Sequence, residues 1–188
     1  MERESFKYTA NYCEENIWHL CQEPYLTGYK KSVLIISNDS KNCPFYAQKS
    51  GQGTSPVWWD YHVVLLASRE DEHLLFDFDS TLPFPSSLSD YLRFTFPNSE
   101  NWLDRDLPFF KAIAAEDYAC SFSSDRSHMK DGAGNWIFAP PPWEPIVNEG
   151  ALPLQDLMIF SEKCQEQLFS LQEMQKFSKN LQSLFFNI

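Results

Sequence analysis

Cys13 is the first side chain in the sequence that could carry nucleophilic chemistry. Asn11 belongs to a residue type that commonly caps helices, and Glu14 follows it by three positions, as in a capping box. This pattern predicts that Cys13 lies in the first turn of a helix. There the helix dipole and the unpaired backbone N–H groups lower the pKa of a thiol and can hold an oxyanion. The alternative is that Cys13 is a small core residue, as many free cysteines are.

His62 is the first candidate for a general base. It lies in an apolar segment, residues 57–68, which predicts a strand. Strand alternation places Asp60, His62, Val64 and Leu66 on one face. A lone histidine in a strand is more often structural than catalytic, so His62 needs a partner before it can be assigned chemistry.

The next segment supplies two possible partners for His62. Residues 73–80 predict a third strand in which Leu75, Asp77 and Asp79 share a face. Carboxylates between apolar strand residues are costly unless other groups pair with them. A Cys–His–Asp relay is therefore physically available if Cys13 packs against this sheet.

The pairing of the two strands decides which aspartate meets His62. The polar residues 69–72 predict a hairpin turn, in which Ser68 pairs with His73. This register places His62 directly opposite Asp79 and diagonal to Asp77, within about 5–8 Å of both. A loop one residue longer or shorter would instead place His62 opposite phenylalanines.

The other elements must hold these residues together. The chain has 188 residues, a length that suits one domain. A helix comes first, mostly strands follow, and a terminal helix over residues 161–185 ends the pattern. That order predicts an α+β fold with a mostly antiparallel central sheet flanked by helices. The further predicted elements are strands at residues 32–37 and 110–115, short helices at residues 88–94 and 117–122, and a loop at residues 41–56.

Composition and charge exclude several classes of function. Lys and Arg number 15 against 26 Asp and Glu, which gives a net charge of -11 and argues against binding to nucleic acid or anionic lipid. The apolar stretches are too short to span a bilayer, and the charged first residues do not resemble a signal peptide. The 5 cysteines form no Cys-x-x-Cys pair, so a disulfide framework or zinc ribbon is not expected, and a reducing cytosol fits. No spacing of possible ligands predicts a metal site.

Four motifs in chain order resemble the protein N-terminal glutamine amidohydrolase family. They occupy residues 12–18, 59–66, 77–85 and 124–136, and the likeness runs from about residue 12 to residue 142. The resemblance implies a fold similar to the papain and transglutaminase cores and an enzyme that deamidates an N-terminal glutamine to glutamate. It also implies that the product is arginylated and the protein degraded by an N-degron pathway. No cofactor is implied.

The resemblance assigns the triad to Cys13, His62 and Asp77. Strand pairing alone favours Asp79 as the partner of His62, but a bulge or a different turn easily alters register, so we side with Asp77. Asp79 or Asp125 is then expected to pair with the ammonium of the substrate. We expect a monomer that acts on proteins or peptides beginning with Gln, in the cytosol and also in the nucleus.

The C-terminal part departs from the family. Residues 164–167, which include Cys164, stand where the family usually has glycines. We therefore expect residues 1–188 to form a single catalytic domain with a divergent helical segment from about residue 161. Two alternatives stay open: a transglutaminase- or protease-like thiol enzyme acting on internal Gln or peptide bonds, and a non-catalytic acidic adaptor.

Overall fold

The computed structural model describes residues 2–52, 54–124, 126–148, 152–153 and 168–179. In that part of the chain no helix is long and apolar enough to cross a membrane. The helices and strands, in chain order, are α1 (Cys13–Cys21), β1 (Lys30–Ser37), β2 (Cys43–Phe45), β3 (Val57–Trp59), β4 (His62–Arg69), β5 (Glu72–Phe76), β6 (Ser86–Ser87), α2 (Leu88–Thr95), β7 (Phe109–Ala114), α3 (Ala115–Ser121), β8 (Phe122–Ser123), β9 (Leu152–Pro153), β10 (Leu168–Ser170) and α4 (Leu171–Phe177).

A six-stranded sheet forms the centre of the structure. Its strand order is β10-β7-β1-β4-β5-β6, and every neighbouring pair is antiparallel. Two smaller pairs stand apart from it: β2 with β3, which is antiparallel, and β8 with β9, which is parallel. This confirms the prediction of an α+β fold with an antiparallel central sheet.

Helices cover both faces of the sheet because the central strands are apolar on both faces. In β1, Val33 and Ile35 face the core that contains residues of α1 and α3, whereas Leu34 and Ile36 face the core that contains residues of α2 and α4. Successive side chains of a strand point to opposite faces, so a continuous apolar run predicts burial on both sides. The helix α1 packs directly on β4, the strand that begins with His62.

The β4–β5 hairpin has the register that the sequence predicts. Ser68 pairs with His73, and Glu70 and Asp71 form the turn, with Glu70 in the left-handed region at a φ of 51°. The ladder extends only to Phe76, however, so the predicted strand over residues 73–80 is too long at its C-terminal end. Asp77 and Asp79 therefore lie beyond the strand, and their positions do not follow from the register.

The predicted strand over residues 57–68 is divided in two. β3 ends at Trp59 and pairs with β2, which lies within the segment predicted as a loop, whereas β4 begins at His62. Hydrogen bonds cause the break: the Asp60 carbonyl accepts from Ser37 Oγ at 2.6 Å, and Asp60 Oδ1 accepts from the Tyr61 N–H at 3.0 Å. The prediction that Asp60 extends the strand face of His62 is therefore wrong.

Helix ends and the C-terminal segment also differ from the predictions. Tyr12, not Asn11, is the N-cap of α1, and no side chain caps that helix, because Asn11 has a φ of 67° and belongs to the preceding turn. In the C-terminal segment, residues 168–170 form strand β10, the edge strand that pairs with β7, before α4 begins, so the prediction of a helix at these three residues is wrong. Residues 161–167 and 180–185 lie outside the described residues.

Candidate active site

Cys13 is the first residue of α1, next to the start of β4. Its side chain is only partly buried. The backbone N–H of Val63 favours the charged form of the sulfur and so lowers the pKa of Cys13, which places the thiol beside the residue that follows His62. The approach to the helix is fixed by Asn16, whose side chain exchanges two hydrogen bonds with the backbone of Thr9. The thiol therefore lies at a helix N-terminus, as predicted. The hydrogen bonds between Asn16 and the Thr9 backbone hold it there, and the predicted capping box is not formed.

His62 and Asp77 form a buried hydrogen-bonded pair. His62 Nε2 lies 2.9 Å from Asp77 Oδ1, and the two residues are 2% and 3% exposed. His62 is the first residue of β4, and Asp77 is the first residue after β5, so the hairpin brings them to the same end of the sheet. The structure thus joins His62 to Asp77, the diagonal aspartate.

Asp77 is held by several further donors. Asp77 Oδ2 accepts from Gln48 Nε2 at 3.1 Å and from Tyr91 Oη at 3.1 Å, and Asp77 Oδ1 also accepts from the Asp79 backbone N–H at 2.9 Å. Gln48 follows β2 and Tyr91 belongs to α2. Sequence reasoning missed both residues, because no local pattern shows that they reach a carboxylate 29 and 14 positions away.

The ring of His62 is fixed by aromatic neighbours. Trp59 stacks on it with ring centroids 6.0 Å apart and planes 12° apart, and the edge of Phe45 packs against it at 5.4 Å. Both neighbours come from the small β2–β3 pair. Because the ring cannot tilt freely between these contacts, Nε2 stays directed at Asp77, and Nδ1 is the nitrogen left to exchange a proton with another group.

Comparison with known proteins assigns the chain to the same family as the four motifs do. The model of the family described as N-terminal glutamine amidase matches residues 8–181. The chain belongs to that family. The match confirms the resemblance that the four motifs carry.

Three curated relatives of the chain, from different species, have the same name. The chain is 39% identical over 155 residues to "Protein N-terminal glutamine amidohydrolase" of Homo sapiens, which covers 79% of this chain and 74% of the relative. It is 41% identical over 143 residues to the protein of that name from Danio rerio, covering 72% and 70%. The protein of that name from Arabidopsis thaliana is 37% identical over 162 residues, which cover 81% of this chain and 73% of the relative. The family is thus one of hydrolases that act on an amide, which is the class of enzyme that the sequence predicted.

Of the two predicted substrate-binding residues, only Asp79 lies in the described part of the chain. Its side chain is 8% exposed, and its Oδ1 accepts a hydrogen bond from Tyr8 Oη at 2.6 Å. Burial and the neighbouring charge of Asp77 contribute to raising the pKa of Asp79 above its usual value, with His62 acting in the opposite direction. Asp125 lies outside the described residues.

Two buried glutamates follow the cysteine. Glu14 Oε2 accepts from the Cys13 thiol at 3.5 Å and from Tyr61 Oη at 3.3 Å. Glu15 accepts two hydrogen bonds from Arg126, each at 2.8 Å, and one from Trp143 Nε1 at 2.7 Å. Sequence reasoning used Glu14 only as a capping residue, because adjacent acidic residues in a first helical turn usually face solvent.

The charges around the site set the proton affinities of its groups. Burial, followed by the charges of Glu14 and Asp79, raises the pKa of Cys13 well above its usual value, so the prediction of a lowered thiol pKa is wrong. Burial lowers the pKa of His62, but Asp77 and the other carboxylates outweigh it and raise the pKa overall. Burial raises the pKa of Asp77, but His62 and the hydrogen-bond donors outweigh it and lower the pKa overall. The resting site therefore favours a neutral thiol beside a basic imidazole.

One group of side chains has the chemistry of metal ligands. Within the described ranges, the ligand atoms of His62, Asp77 and Asp79 lie within 4.8 Å of one another. The oxygens of Asp77 already accept four hydrogen bonds, and Asp79 Oδ1 accepts one from Tyr8. This bonding pattern suits the stabilisation of an imidazolium better than the coordination of a metal ion, so the absence of a metal stays a prediction.

Proposed function

We propose that this protein hydrolyses the side-chain amide of an N-terminal glutamine, which releases ammonia and leaves glutamate. The observation that carries the proposal is the buried His62–Asp77 pair beside the thiol of Cys13. Family membership supports it, because the curated relatives are named for this reaction. A thiol, a base and a carboxylate that orients the base are the groups that cofactor-free acyl transfer requires.

The first half of the proposed reaction forms a thioester. His62 takes the proton of Cys13 as the sulfur attacks the side-chain carbonyl carbon, so the thiolate need not exist at rest. The raised pKa of His62 makes it a suitable acceptor. The first N–H groups of α1 have no partners within the helix and are candidate donors to the oxyanion. His62 then protonates the leaving nitrogen, and ammonia departs from a γ-glutamyl thioester.

The second half regenerates the thiol. His62 takes a proton from water, the resulting hydroxide attacks the thioester carbon, and His62 returns the proton to the sulfur as the glutamate product leaves. Asp77 stabilises the imidazolium in both halves and fixes the tautomer through its hydrogen bond to Nε2. Asp79 stays a candidate for contact with the substrate ammonium.

The arrangement also favours a core like those of papain and transglutaminases. A helix that begins with the cysteine packs on a strand that begins with the histidine, and the acid follows the neighbouring antiparallel strand. We further propose that the glutamate product is arginylated and directs the substrate to an N-degron pathway. Action as a monomer in the cytosol and nucleus is part of this proposal.

Peptides with different first residues test the function. The purified protein is incubated with matched peptides that begin with Gln, acetyl-Gln and Asn, and ammonia release and peptide mass are measured. We expect release only from the peptide with a free N-terminal Gln. Comparable turnover of acetyl-Gln or of internal Gln would favour a transglutaminase-like enzyme, and cleaved peptides would indicate a protease. An unreactive thiol and no turnover would favour the adaptor.

A further inference from the structure

In the described part of the chain, a buried carboxylate oxygen beside the nucleophile lacks a hydrogen-bond donor. Glu14 is fully buried, and its Oε2 is held by the Cys13 thiol and the Tyr61 hydroxyl. Glu14 Oε1 receives no hydrogen bond from the residues that the structure describes. A buried carboxylate oxygen without a donor is costly, and such groups in native proteins often serve a ligand. The position next to the thiol suggests that a donor arrives with the substrate.

His128 lies on the other side of this oxygen. Its Nε2 is 3.6 Å from Glu14 Oε1, which is longer than a hydrogen bond. The His128 side chain is 26% exposed, so it is the more accessible member of the pair. A cationic nitrogen about 2.8 Å from Oε1 would complete the carboxylate with a charge-assisted hydrogen bond of ordinary length.

We propose that Glu14 binds the α-ammonium of the substrate glutamine through Oε1. This inference rests on the proposed function and names the group that recognises a free N-terminus. The amine nitrogen and the side-chain carbonyl carbon of glutamine are no more than about 5 Å apart. The two carboxylate oxygens of Glu14 are close together, and Oε2 is 3.5 Å from Cys13 Sγ. An ammonium at Oε1 therefore leaves the carbonyl carbon within reach of the sulfur.

Both carboxylates contribute to raising the pKa of Cys13, but Glu14 suits this role better than Asp79. Asp79 Oδ1 already accepts a 2.6 Å hydrogen bond from Tyr8. Asp79 also faces His62, whose charge it helps to stabilise. Glu14, by contrast, has one oxygen on the nucleophile and the other without a hydrogen-bond donor among the described residues.

An ammonium at Glu14 also changes the reactivity of the thiol. At rest, burial, Glu14 and Asp79 raise the pKa of Cys13, while Tyr61 donates to the same oxygen of Glu14 as the thiol and His128 lies near the other oxygen. Glu14 contacts the thiol directly but is the smallest of the causes that raise the pKa of His62, so an ammonium that offsets its charge lowers the pKa of Cys13 more than that of His62. Proton transfer from Cys13 to His62 thereby becomes easier. The nucleophile is thus activated by a substrate with a free amine, whereas an acetylated amine provides no such charge.

Two peptides that differ only in the α-amine test this role. One begins with Gln, and the other begins with the analogue in which hydrogen replaces the amine. Each is assayed by ammonia release with the wild type, Glu14→Gln, Asp79→Asn and Glu116→Gln; Glu116 is an exposed residue on α3 and serves as the charge control. The ratio of kcat/KM for the two peptides, measured on one enzyme preparation, does not depend on the folded fraction.

We expect the wild type, Asp79→Asn and Glu116→Gln to prefer the amine-bearing peptide by about 30-fold or more, the effect of removing one partner of a buried charge pair. In Glu14→Gln that preference should fall to nearly one. If Glu14→Gln is too slow to assay, the same comparison is made by calorimetry with Cys13→Ala and Cys13→Ala/Glu14→Gln, using the N-terminal Glu product and its des-amino analogue.

An unchanged preference in Glu14→Gln, in turnover or in binding, overturns the inference. So does a preference that collapses in Asp79→Asn instead. A wild-type protein that releases no ammonia from either peptide contradicts the proposed function itself, and the binding comparison then still reports whether Glu14 recognises the amine.

Discussion

Replacing Asp77 by Asn is expected to remove most of the catalytic rate while keeping the fold. The isosteric amide can keep one oxygen towards His62 Nε2 and the Asp79 N–H. Its NH2 group then faces Gln48, whose Oε1 receives no hydrogen bond within the described chain and can turn to accept one. Tyr91 can accept from the same NH2 group through its hydroxyl oxygen. The packing is therefore preserved and the substitution removes mainly the negative charge.

The size of the effect follows from the geometry of the pair. In the reactive form of the enzyme His62 is neutral and becomes an imidazolium as the thiol is deprotonated, so its attraction to Asp77 stabilises the transition state more than that neutral form. Two unit charges about 4 Å apart interact by about 4 kcal/mol at an effective dielectric constant of 20. At 1.36 kcal/mol per tenfold this is about 10³-fold in rate. Loss of the corresponding carboxylate in serine proteases lowers the rate about 10⁴-fold. We therefore expect kcat to decrease by a factor between about 10³ and about 10⁴.

The assay compares Asp77→Asn with Asp79→Asn on one Gln-peptide by ammonia release. Asp79 makes no hydrogen bond to His62 among the described contacts, so we expect Asp79→Asn to lower kcat by less than about tenfold. NMR titration of His62 gives an independent readout. Because Asp77 raises the pKa of His62, Asp77→Asn should lower it, so the imidazolium is lost at a lower pH than in the wild type. A near-normal kcat for Asp77→Asn together with a collapsed kcat for Asp79→Asn would reverse the assignment.

Two further predictions concern the nucleophile and the buried ion pair. Cys13→Ala should abolish ammonia release but leave the melting temperature nearly unchanged, since it removes one partly buried atom; retained activity would contradict the thiol mechanism. Arg126→Met should cost about 3–5 kcal/mol in the free energy of unfolding measured with denaturant, because it leaves the buried carboxylate of Glu15 without its cation. Arg93→Met breaks the exposed pair with Asp90 and should cost less than about 1 kcal/mol, so equal losses in the two variants would refute the argument from burial.

Several local elements and the pairing of β4 with β5 follow from the sequence alone. Continuous apolar runs predicted β1 and β4, and the polar residues between Ser68 and His73 predicted the hairpin register, which the structure confirms. The short helix after Ser87 and the strand β7 were also predicted within one or two residues. These features depend on neighbours in the chain, through side-chain periodicity, caps and turn residues, so a single sequence contains them.

Only the tertiary structure decided where the acid groups of the site lie. The ladder ends at Phe76, and the Asp79 N–H then turns to Asp77, so the chain no longer follows the pairing that would have put Asp79 opposite His62. The prediction of a lowered thiol pKa failed for a related reason. A helix N-terminus is visible in a sequence, but burial and the approach of Glu14 and Asp79 to Cys13 are not.

The residues that hydrogen-bond to the site residues are likewise distant from them in the sequence. Gln48 reaches Asp77 across 29 positions, Tyr61 reaches Glu14 across 47, and Arg126 reaches Glu15 across 111. In the sequence, Gln48 and Arg126 look like parts of solvated loops, and Tyr61 lies in the predicted strand over residues 57–68 with no sign of a partner. Its burial and hydrogen bonds arise only when the two helical layers and the sheet pack together. The sequence therefore supplies the side chains of the proposed site, and the packing sets the charges that surround them, because those charges come from residues far apart in the chain.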